Sequence, residues 1–251
     1  IIIGSNPAVS RGSFIQLPDP IRRLKAIETR GGKVYHVNPR RTETAKQLGT
    51  QVFIRPDTDV YFLLSFLHEV FERGAIAQAR VDAHMRGLEV LRAVAAPWPP
   101  ERTAEVTGIS VEQLREMVGR YLGADGAALH LSTGVNQGSQ GTLAFWIQES
   151  INAITGNLDR LGGTLVGHGY VEDFPRLARK GGHTMRKDRS RVGQLPSVAD
   201  TFPAGLMADE ILTPGEGQVR ALFCVSGNPL LTVPNTNGRL GEALAALELL
   251  V

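Results

Sequence analysis

The sequence predicts an α/β fold with mainly parallel sheets flanked by helices. Short apolar runs alternate with segments of helical periodicity through the first half of the chain, which is typical of β-α-β units. Three of the apolar runs end in Asn-Pro, with the asparagines at Asn6, Asn38 and Asn228. Because proline cannot extend a strand ladder, we expect a strand to end at each of these points.

The first two predicted strands enclose a helix. Ile1–Ile3 forms the first strand, and Asp19 with Pro20 provides the N-cap and first residue of a helix that ends at Gly31. Val34–Val37 then predicts the second strand.

A third strand and a long helix are predicted next. Thr42 is placed to cap a short helix that runs to Leu48. Gln51–Ile54 has the composition of a strand, and the amphipathic pattern over Thr58–Gly74 predicts a long helix.

Further helices precede a predicted change of domain. Helical periodicity covers residues 77–95, and Ser110 with Gln113 forms a capping box that opens a helix over Val111–Tyr121. A strand at Ala127–Leu131 follows, and then a helix over Thr142–Thr155. We therefore predict two Rossmann-like nucleotide-binding units, residues 1–125 and 126–251, the second incomplete and carrying a long irregular insertion at about 160–205.

Composition excludes several classes of function. The chain has 251 residues, and 27 Lys and Arg against 25 Asp and Glu give a net charge of +2, too weak a field to predict nucleic-acid binding. A single cysteine, Cys224, excludes an internal disulfide framework and a complete iron–sulfur cluster built from this chain alone. No apolar stretch approaches the roughly 20 residues of a membrane span, so we expect a soluble chain without direct membrane insertion.

The Asn-Pro turns predict a binding edge. Ligands of open parallel sheets bind at the carboxyl ends of the strands, although Asn-Pro is also ordinary turn chemistry. Gly4 and Gly227 precede two of these turns, where a missing side chain lets the backbone approach a diphosphate. The turns match neither G-x-G-x-x-G nor the Walker A sequence, which disfavours NAD and ATP.

Charged side chains follow the second and third strands. Arg40 and Thr42 are suited to phosphate and ribose oxygens. Asp57 and Asp59 follow the third strand, where a buried carboxylate can accept hydrogen bonds from the N1–H and exocyclic amine of guanine. The alternative is that Asp57 or Thr58 caps the following helix, and two acids allow both roles.

The loop at residues 132–141 lies between a predicted strand and a helix. Its amides, hydroxyls and glycines suit contacts with a polar cofactor. The six histidines lack the spacing of metal ligands, and no Ser, His and acid set has motif support. We therefore predict neither a metal-ligating nor a catalytic residue within this chain.

Six short segments occur in the order found in one family. They are GSNP, VNPRRTETA, IRPDTD, TGVNQGSQG, ITGNLDRLGGT and SGNPLLTVPNTN. Together they span nearly the whole chain, which resembles the central part of the molybdopterin oxidoreductases of the DMSO reductase type. The resemblance implies a cofactor of two molybdopterin guanine dinucleotides that carry molybdenum or tungsten.

The resemblance also implies cofactor contacts. Gly4, Ser5 and Asn6 resemble a diphosphate loop; Asn38, Arg40 and Thr42 resemble ribose or phosphate contacts; Asp59, with Asp57 beside it, resembles the guanine acceptor. The second nucleotide half-site would consist of Gly134, Asn136, Gln137, Gly227 and Asn228.

Two positions depart from the family pattern. Asn38 stands where the family more often has Asp, and Asp57 stands where it usually has Gly, so we expect the backbone angles of that turn to differ. These departures keep open the alternative of a non-catalytic scaffold relative, such as the large subunit of respiratory NADH dehydrogenases.

The resemblance implies parts beyond this chain. A 4Fe–4S cluster and the metal-ligating residue are expected in a preceding N-terminal part, and a further domain is expected after residue 251. The whole protein is expected to be a redox enzyme acting on a small substrate in cytoplasm or periplasm, with iron–sulfur electron-transfer subunits as partners. The fragment by itself is expected to be inactive.

Overall fold

Parallel strand pairing organises the first part of the chain. The computed structural model describes residues 1–10, 18–165, 185–198, 201–233 and 237–251. It divides into two compact units, unit 1 (Ile1–Gly167) and unit 2 (His168–Val251).

Unit 1 contains a parallel sheet that, among the described residues, has four strands in the order β3-β2-β1-β4. The strands are β1 Ile2–Ile3, β2 Tyr35–Val37, β3 Thr50–Val52 and β4 His130–Leu131. Ile2 pairs with His36 on one side and with His130 on the other. The predicted α/β class with a parallel sheet is confirmed, and all four carboxyl ends lie at the same edge.

Helices flank this sheet. They are α1 Pro7–Ser10, α2 Pro20–Thr29, α3 Asp59–Glu72, α4 Gln78–His84, α5 Leu88–Ala95, α6 Pro100–Thr107, α7 Val111–Gly123, α8 Thr133–Asn136 and α9 Gly141–Ile154. Helix α3 is the centre of the core, because Phe62 and Phe66 are fully buried and α9, α6 and α7 all pack against it. This packing places the N-terminal end of α3 close to that of α9.

Two local predictions have different outcomes. The Ser110 hydroxyl accepts a hydrogen bond from the Gln113 amide at 3.2 Å and begins α7, as the capping pattern predicts. The short helix predicted from Thr42 to Leu48 is wrong, because the backbone there forms turns. Thr42 accepts from the Ala45 amide at 3.2 Å, but Gly49 follows so closely that no α-helix develops.

The strand at residues 130–131 shows why the predicted boundary at 125/126 differs from the structure. β4 adds to the edge of the same sheet beside β1. Buried Asn152 of α9 locks it there, accepting from the Leu129 amide at 3.2 Å and donating to the Leu129 carbonyl at 3.0 Å. Residues 126–165 therefore belong to unit 1, and the division falls between 167 and 168.

Unit 2 has small sheets and a small core. Its elements are β5 Met185–Arg189, β6 Pro196–Val198, a 3₁₀ turn Ala204–Leu206, α10 Met207–Leu212, β7 Ala221–Leu222, α11 Pro229–Thr232, α12 Leu240–Ala245 and β8 Leu249–Leu250. β5 and β6 pair antiparallel, so the described part of the predicted irregular insertion contains a hairpin. β7 and β8 pair parallel, and α10 packs against α12.

None of the helices in the described ranges is long and apolar enough to cross a membrane.

Candidate functional site

The loops after the four strands of unit 1 meet at the carboxyl edge of the sheet. Gly4 has φ +62°, and its carbonyl accepts from the Gly134 amide at 2.9 Å. A Cβ on Gly134 would lie 2.6 Å from the Gly4 oxygen, and one on Gly4 would lie 2.7 Å from the Val135 nitrogen. Both glycines are therefore required for the close approach of these two loops.

This packing changes the predicted role of Gly4. Its amide donates to the Val37 carbonyl at 3.1 Å, so it is used by the sheet and is not free for a diphosphate. The neighbouring Ser5 is buried, and its hydroxyl has no hydrogen-bond partner among the described residues.

Asn6 joins the loop after β1 to the loop after β2. Its amide nitrogen donates to Glu43 Oε2 at 2.5 Å, and its oxygen accepts from the backbone amide and the hydroxyl of Thr44 at 3.2 and 2.8 Å. The side chain predicted to contact a ligand thus connects two protein loops.

Arg40 is held by an acidic neighbour. Its two terminal nitrogens donate to the two oxygens of Glu43 at 3.3 and 3.1 Å. Hydrogen bonds from Arg40, its own backbone and Asn6 lower the pKa of Glu43 to about 2. Glu43 therefore stays ionised and orients both Arg40 and Asn6.

Asn38 and Thr42, the other two residues predicted to contact the cofactor after β2, form hydrogen bonds within the turn itself. The Asn38 oxygen accepts from the Arg40 amide at 3.2 Å, which is the turn chemistry considered above. Thr42 is buried and its hydroxyl bonds to the Ala45 amide, so the prediction that it contacts ribose does not fit its position.

Asp57 makes an unexpected contact with the loop before α9. Its Oδ1 accepts from the Ser139 amide at 2.7 Å, and its two oxygens lie 3.1 and 2.9 Å from the Ser139 hydroxyl. Asp57 has φ +64°, the left-handed conformation that favours glycine. Asp57 therefore adopts a conformation in which glycine is the favoured residue, and the expectation that the angles of this turn differ from those of the family stays a prediction.

Asp59 is the first residue of α3 and is half-buried. In the described part of the chain, its carboxylate has only its own backbone amide as a hydrogen-bond donor. Burial, with a smaller contribution from the charge of Asp57, raises the pKa of Asp59 to about 6. Of the two acids, Asp57 is engaged by Ser139 and Asp59 retains free acceptor oxygens.

A cleft lies between these acids and the start of α9. Its lining residues are Asp57, Asp59, Val60, Val135, Gly138, Gln140, Gly141 and Ala144. It has apolar walls and the Asp59 carboxylate on one side, it opens to solvent, and its enclosed volume of about 10 Å³ is roughly that needed for one water molecule. Apolar surface beside a few polar groups is the chemistry of a small-molecule site, although the enclosed space is much smaller than that of such a site.

The residues predicted to form the second half-site are divided between the two units. Gly134 and Asn136 lie in α8 and Gln137 follows it, at the same edge of unit 1 as Gly4, because β4 pairs with β1. Gly227 and Asn228 are in unit 2, where both are exposed. Asn228 precedes α11 without a side-chain cap.

Sequence reasoning missed three residues at the edge. Glu43, Thr44 and Ser139 connect loops through side chains, and Ser139 is 82 residues from Asp57. Glu43 and Thr44 lie within the segment VNPRRTETA, so that motif contained a signal for them. Nothing local in the sequence pairs Ser139 with Asp57.

Comparisons with known proteins find relatives of this chain among formate dehydrogenases and nitrate reductases. No protein-family model matches it. It is 26% identical to F420-dependent formate dehydrogenase subunit alpha of Methanocaldococcus jannaschii over 100% of this chain and 37% of the relative. It is 26% identical to formate dehydrogenase H of Escherichia coli over 63% of this chain and 21% of the relative. It is also 27% identical to nitrate reductase of Synechocystis sp. over 84% of this chain and 32% of the relative.

A solved structure supports the fold. Acetylene hydratase from Pelobacter acetylenicus matches with a TM-score of 0.54 and 22% identity, covering 62% of this chain and 21% of that protein. The chain thus spans between a fifth and two fifths of the length of these relatives. Formate dehydrogenases, nitrate reductase and acetylene hydratase are all molybdopterin enzymes of one type, and the chain is similar to members of that family, the molybdopterin oxidoreductases of the DMSO reductase type.

Proposed function

We propose that this chain is the central cofactor-binding portion of a molybdenum or tungsten oxidoreductase that carries two molybdopterin guanine dinucleotides. The carboxyl edge of unit 1 binds the guanosine diphosphate part of one of them. The observation that carries this proposal is the cleft between α3 and α9, where the Asp59 carboxylate keeps unused acceptor oxygens beside apolar walls.

The residues at this edge fit a polar dinucleotide. Two glycines allow the loops after β1 and β4 to pack closely. Arg40 uses two of its terminal N–H groups on Glu43, and the remaining donors of its guanidinium suit phosphate oxygens. The exposed amides of Asn136 and Gln137 are placed to contact ribose or pterin oxygens.

Each side chain would have a binding role. Asp59, when ionised, accepts from N1–H and the exocyclic amine of guanine, while adenine offers no such pair of donors. Asn6 and Glu43 hold Arg40 and the first loop in place. Gly227 and Asn228 remain proposed contacts of the second dinucleotide.

When bound, the metal would supply two-electron redox chemistry on a small substrate, and the protein would position and tune the cofactor. The whole protein would work with iron–sulfur electron-transfer subunits, and its 4Fe–4S cluster would lie outside this chain.

Nucleotide titration tests the guanine assignment. In isothermal titration calorimetry at pH 7.5, we expect the chain to bind GDP at least about tenfold more tightly than ADP, because two charge-assisted hydrogen bonds distinguish the bases. Equal affinity for the two nucleotides in well-folded protein would contradict the role of Asp59.

The second candidate function is a scaffold relative that binds no molybdenum. The observations that favour it are Asn38, whose side chain serves its own turn, and Asp57, which is engaged by Ser139. Metal analysis of the intact parent protein separates the two functions, since stoichiometric molybdenum or tungsten contradicts the scaffold.

A further inference from the structure

Asp57 lies where two distant parts of the sheet edge meet. It follows β3, and its partner Ser139 follows β4, the two outer strands in the order β3-β2-β1-β4. Helices α3 and α9 begin just after these two residues and pack against each other. The hydrogen bonds between Asp57 and Ser139, called the Asp57–Ser139 bridge below, therefore connect the loops at the two ends of the carboxyl edge.

The local backbone is arranged around this bridge. Asp57 is left-handed at φ +64°, a conformation that glycine favours most and that aspartate adopts more readily than most other residues, as Asp19 and Asp159 also do in this chain. A Cβ on Gly138 would lie only 2.7 Å from Asp57 Oδ1. The absent side chain at 138 thus gives the carboxylate access to the Ser139 amide.

The bridge forms part of the proposed guanine cleft. Asp57 and Gly138 line it together with Asp59, and the bridge fixes the loop that leads into Gln140 and Gly141. Asp57 and Asp59 are the titratable groups among its lining residues, and the others carry no charge. Asp57 is thus the charged group that faces Asp59 in this cleft.

We propose that Asp57 is a positioning residue for guanine-nucleotide binding: through Ser139 it holds the loop before α9 against the cleft that contains the Asp59 carboxylate. This inference rests on the proposed function of the cleft. The reverse role, in which Asp57 itself accepts from the base, is disfavoured because Ser139 donates to both of its oxygens.

The pH dependence follows from the two acids. Burial and the neighbouring Asp57 raise the pKa of Asp59 to about 6, so GDP affinity is expected to increase as the pH rises through that value and Asp59 ionises. Removing the charge of Asp57 lowers the pKa of Asp59 and moves this midpoint to lower pH. Removing only the Ser139 hydroxyl leaves that charge in place.

Three variants of the full chain separate these effects: Asp57→Gly, Asp57→Asn and Ser139→Ala. GDP and ADP dissociation constants are measured by calorimetry between pH 5 and 8. Asp57→Gly keeps a residue suited to the left-handed conformation, and we expect about tenfold weaker GDP binding at pH 7.5 and a lower midpoint. Asp57→Asn should lower the pH midpoint of GDP binding and weaken the affinity for GDP less than Asp57→Gly does. Ser139→Ala should weaken GDP binding severalfold and leave the pH midpoint unchanged.

Asp125→Asn is the matched control, because it removes an exposed carboxylate of unit 1 outside the cleft. It should leave affinity and midpoint unchanged. Wild-type affinity and midpoint in Asp57→Gly, together with wild-type affinity in Ser139→Ala, would overturn the inference, provided that wild-type protein prefers GDP. Equal binding of GDP and ADP by the wild type is the different result that overturns the proposed function itself.

Discussion

The turns Gly4-Ser5-Asn6-Pro7 in unit 1 and Ser226-Gly227-Asn228-Pro229 in unit 2 have nearly the same sequence but very different surroundings. In unit 1 the asparagine bonds to Glu43 and Thr44, and the glycine packs against the loop after β4. In unit 2 a methyl group added to the glycine would lie 4.0 Å from its nearest neighbouring atom, the Val225 oxygen. A binding edge thus depends on neighbouring parallel strands that bring several loops together.

The largest expected effect comes from the glycines of the two turns. Gly4→Ala places a methyl group 2.7 Å from the Val135 nitrogen at a residue with φ +62°, and we expect a loss of about 3 kcal/mol in the free energy of unfolding of unit 1. Urea unfolding followed by tryptophan fluorescence measures this, because Trp98 and Trp146 both lie in unit 1.

Gly227→Ala is the matched change in unit 2. Its site is open, so we expect the free energy of unfolding to change by less than about 0.5 kcal/mol, as measured by circular dichroism. A similar loss of stability in both variants would show that the two turns are equally constrained, which would contradict the difference between the turn of unit 1 and that of unit 2.

The next largest effect on stability is expected from the asparagines of the two turns, Asn6 and Asn228. Asn6→Ala removes the acceptor of two hydrogen bonds and a donor to Glu43, so we expect a loss of about 2 kcal/mol in unit 1 stability. Asn228→Ala should change stability by less than about 0.5 kcal/mol, because Asn228 makes no side-chain cap. Urea unfolding of both variants measures the difference, and an unchanged midpoint for Asn6→Ala would contradict the proposed connection of the loops.

Substitution of Asp59 is expected to change the free energy of unfolding by a smaller amount and in the opposite direction. Its pKa of about 6 in the folded protein lies above the ordinary 3.8, so its contribution to stability falls as the pH rises from about 4 to 6 and remains unfavourable above that. We expect Asp59→Asn to raise the free energy of unfolding by about 1–2 kcal/mol at pH 7.5 and to leave it unchanged at pH 3.5. The same variant should bind GDP roughly tenfold more weakly at pH 7.5.

Urea unfolding at the two pH values measures the stability change, and calorimetry measures the affinity. A variant that is destabilised at pH 7.5 would show that Asp59 has a structural partner. Glu43→Gln offers the comparison within the same edge, because the pKa of Glu43 is lowered to about 2 and its charge stabilises its loops at neutral pH.

Local patterns predicted much of unit 1. The apolar runs ending at Asn6 and Asn38 are strands β1 and β2, and the amphipathic segment from Thr58 is helix α3. These features depend on side-chain periodicity and on proline chemistry within a few residues, which a single sequence contains.

Long-range pairing explains what could not be predicted. The strand at 127–131 was recognised, but its pairing with β1 is set by contacts across more than a hundred residues, such as Ile2 with His130. For the same reason, nothing local in the sequence pairs Gly134 with the loop after β1 or Ser139 with Asp57. The predicted edge of unit 1 is confirmed as a meeting point of loops, whereas the contact of its residues with a cofactor stays a prediction.

Hydrogen exchange with saturating GDP is the most direct test of the account, because it locates the bound nucleotide along the whole chain in one experiment. The account predicts slower amide exchange at residues 57–62 and 133–141 of unit 1, which flank the cleft that contains Asp59. Protection confined to residues 226–233, or tight GDP binding without protection in unit 1, would contradict it.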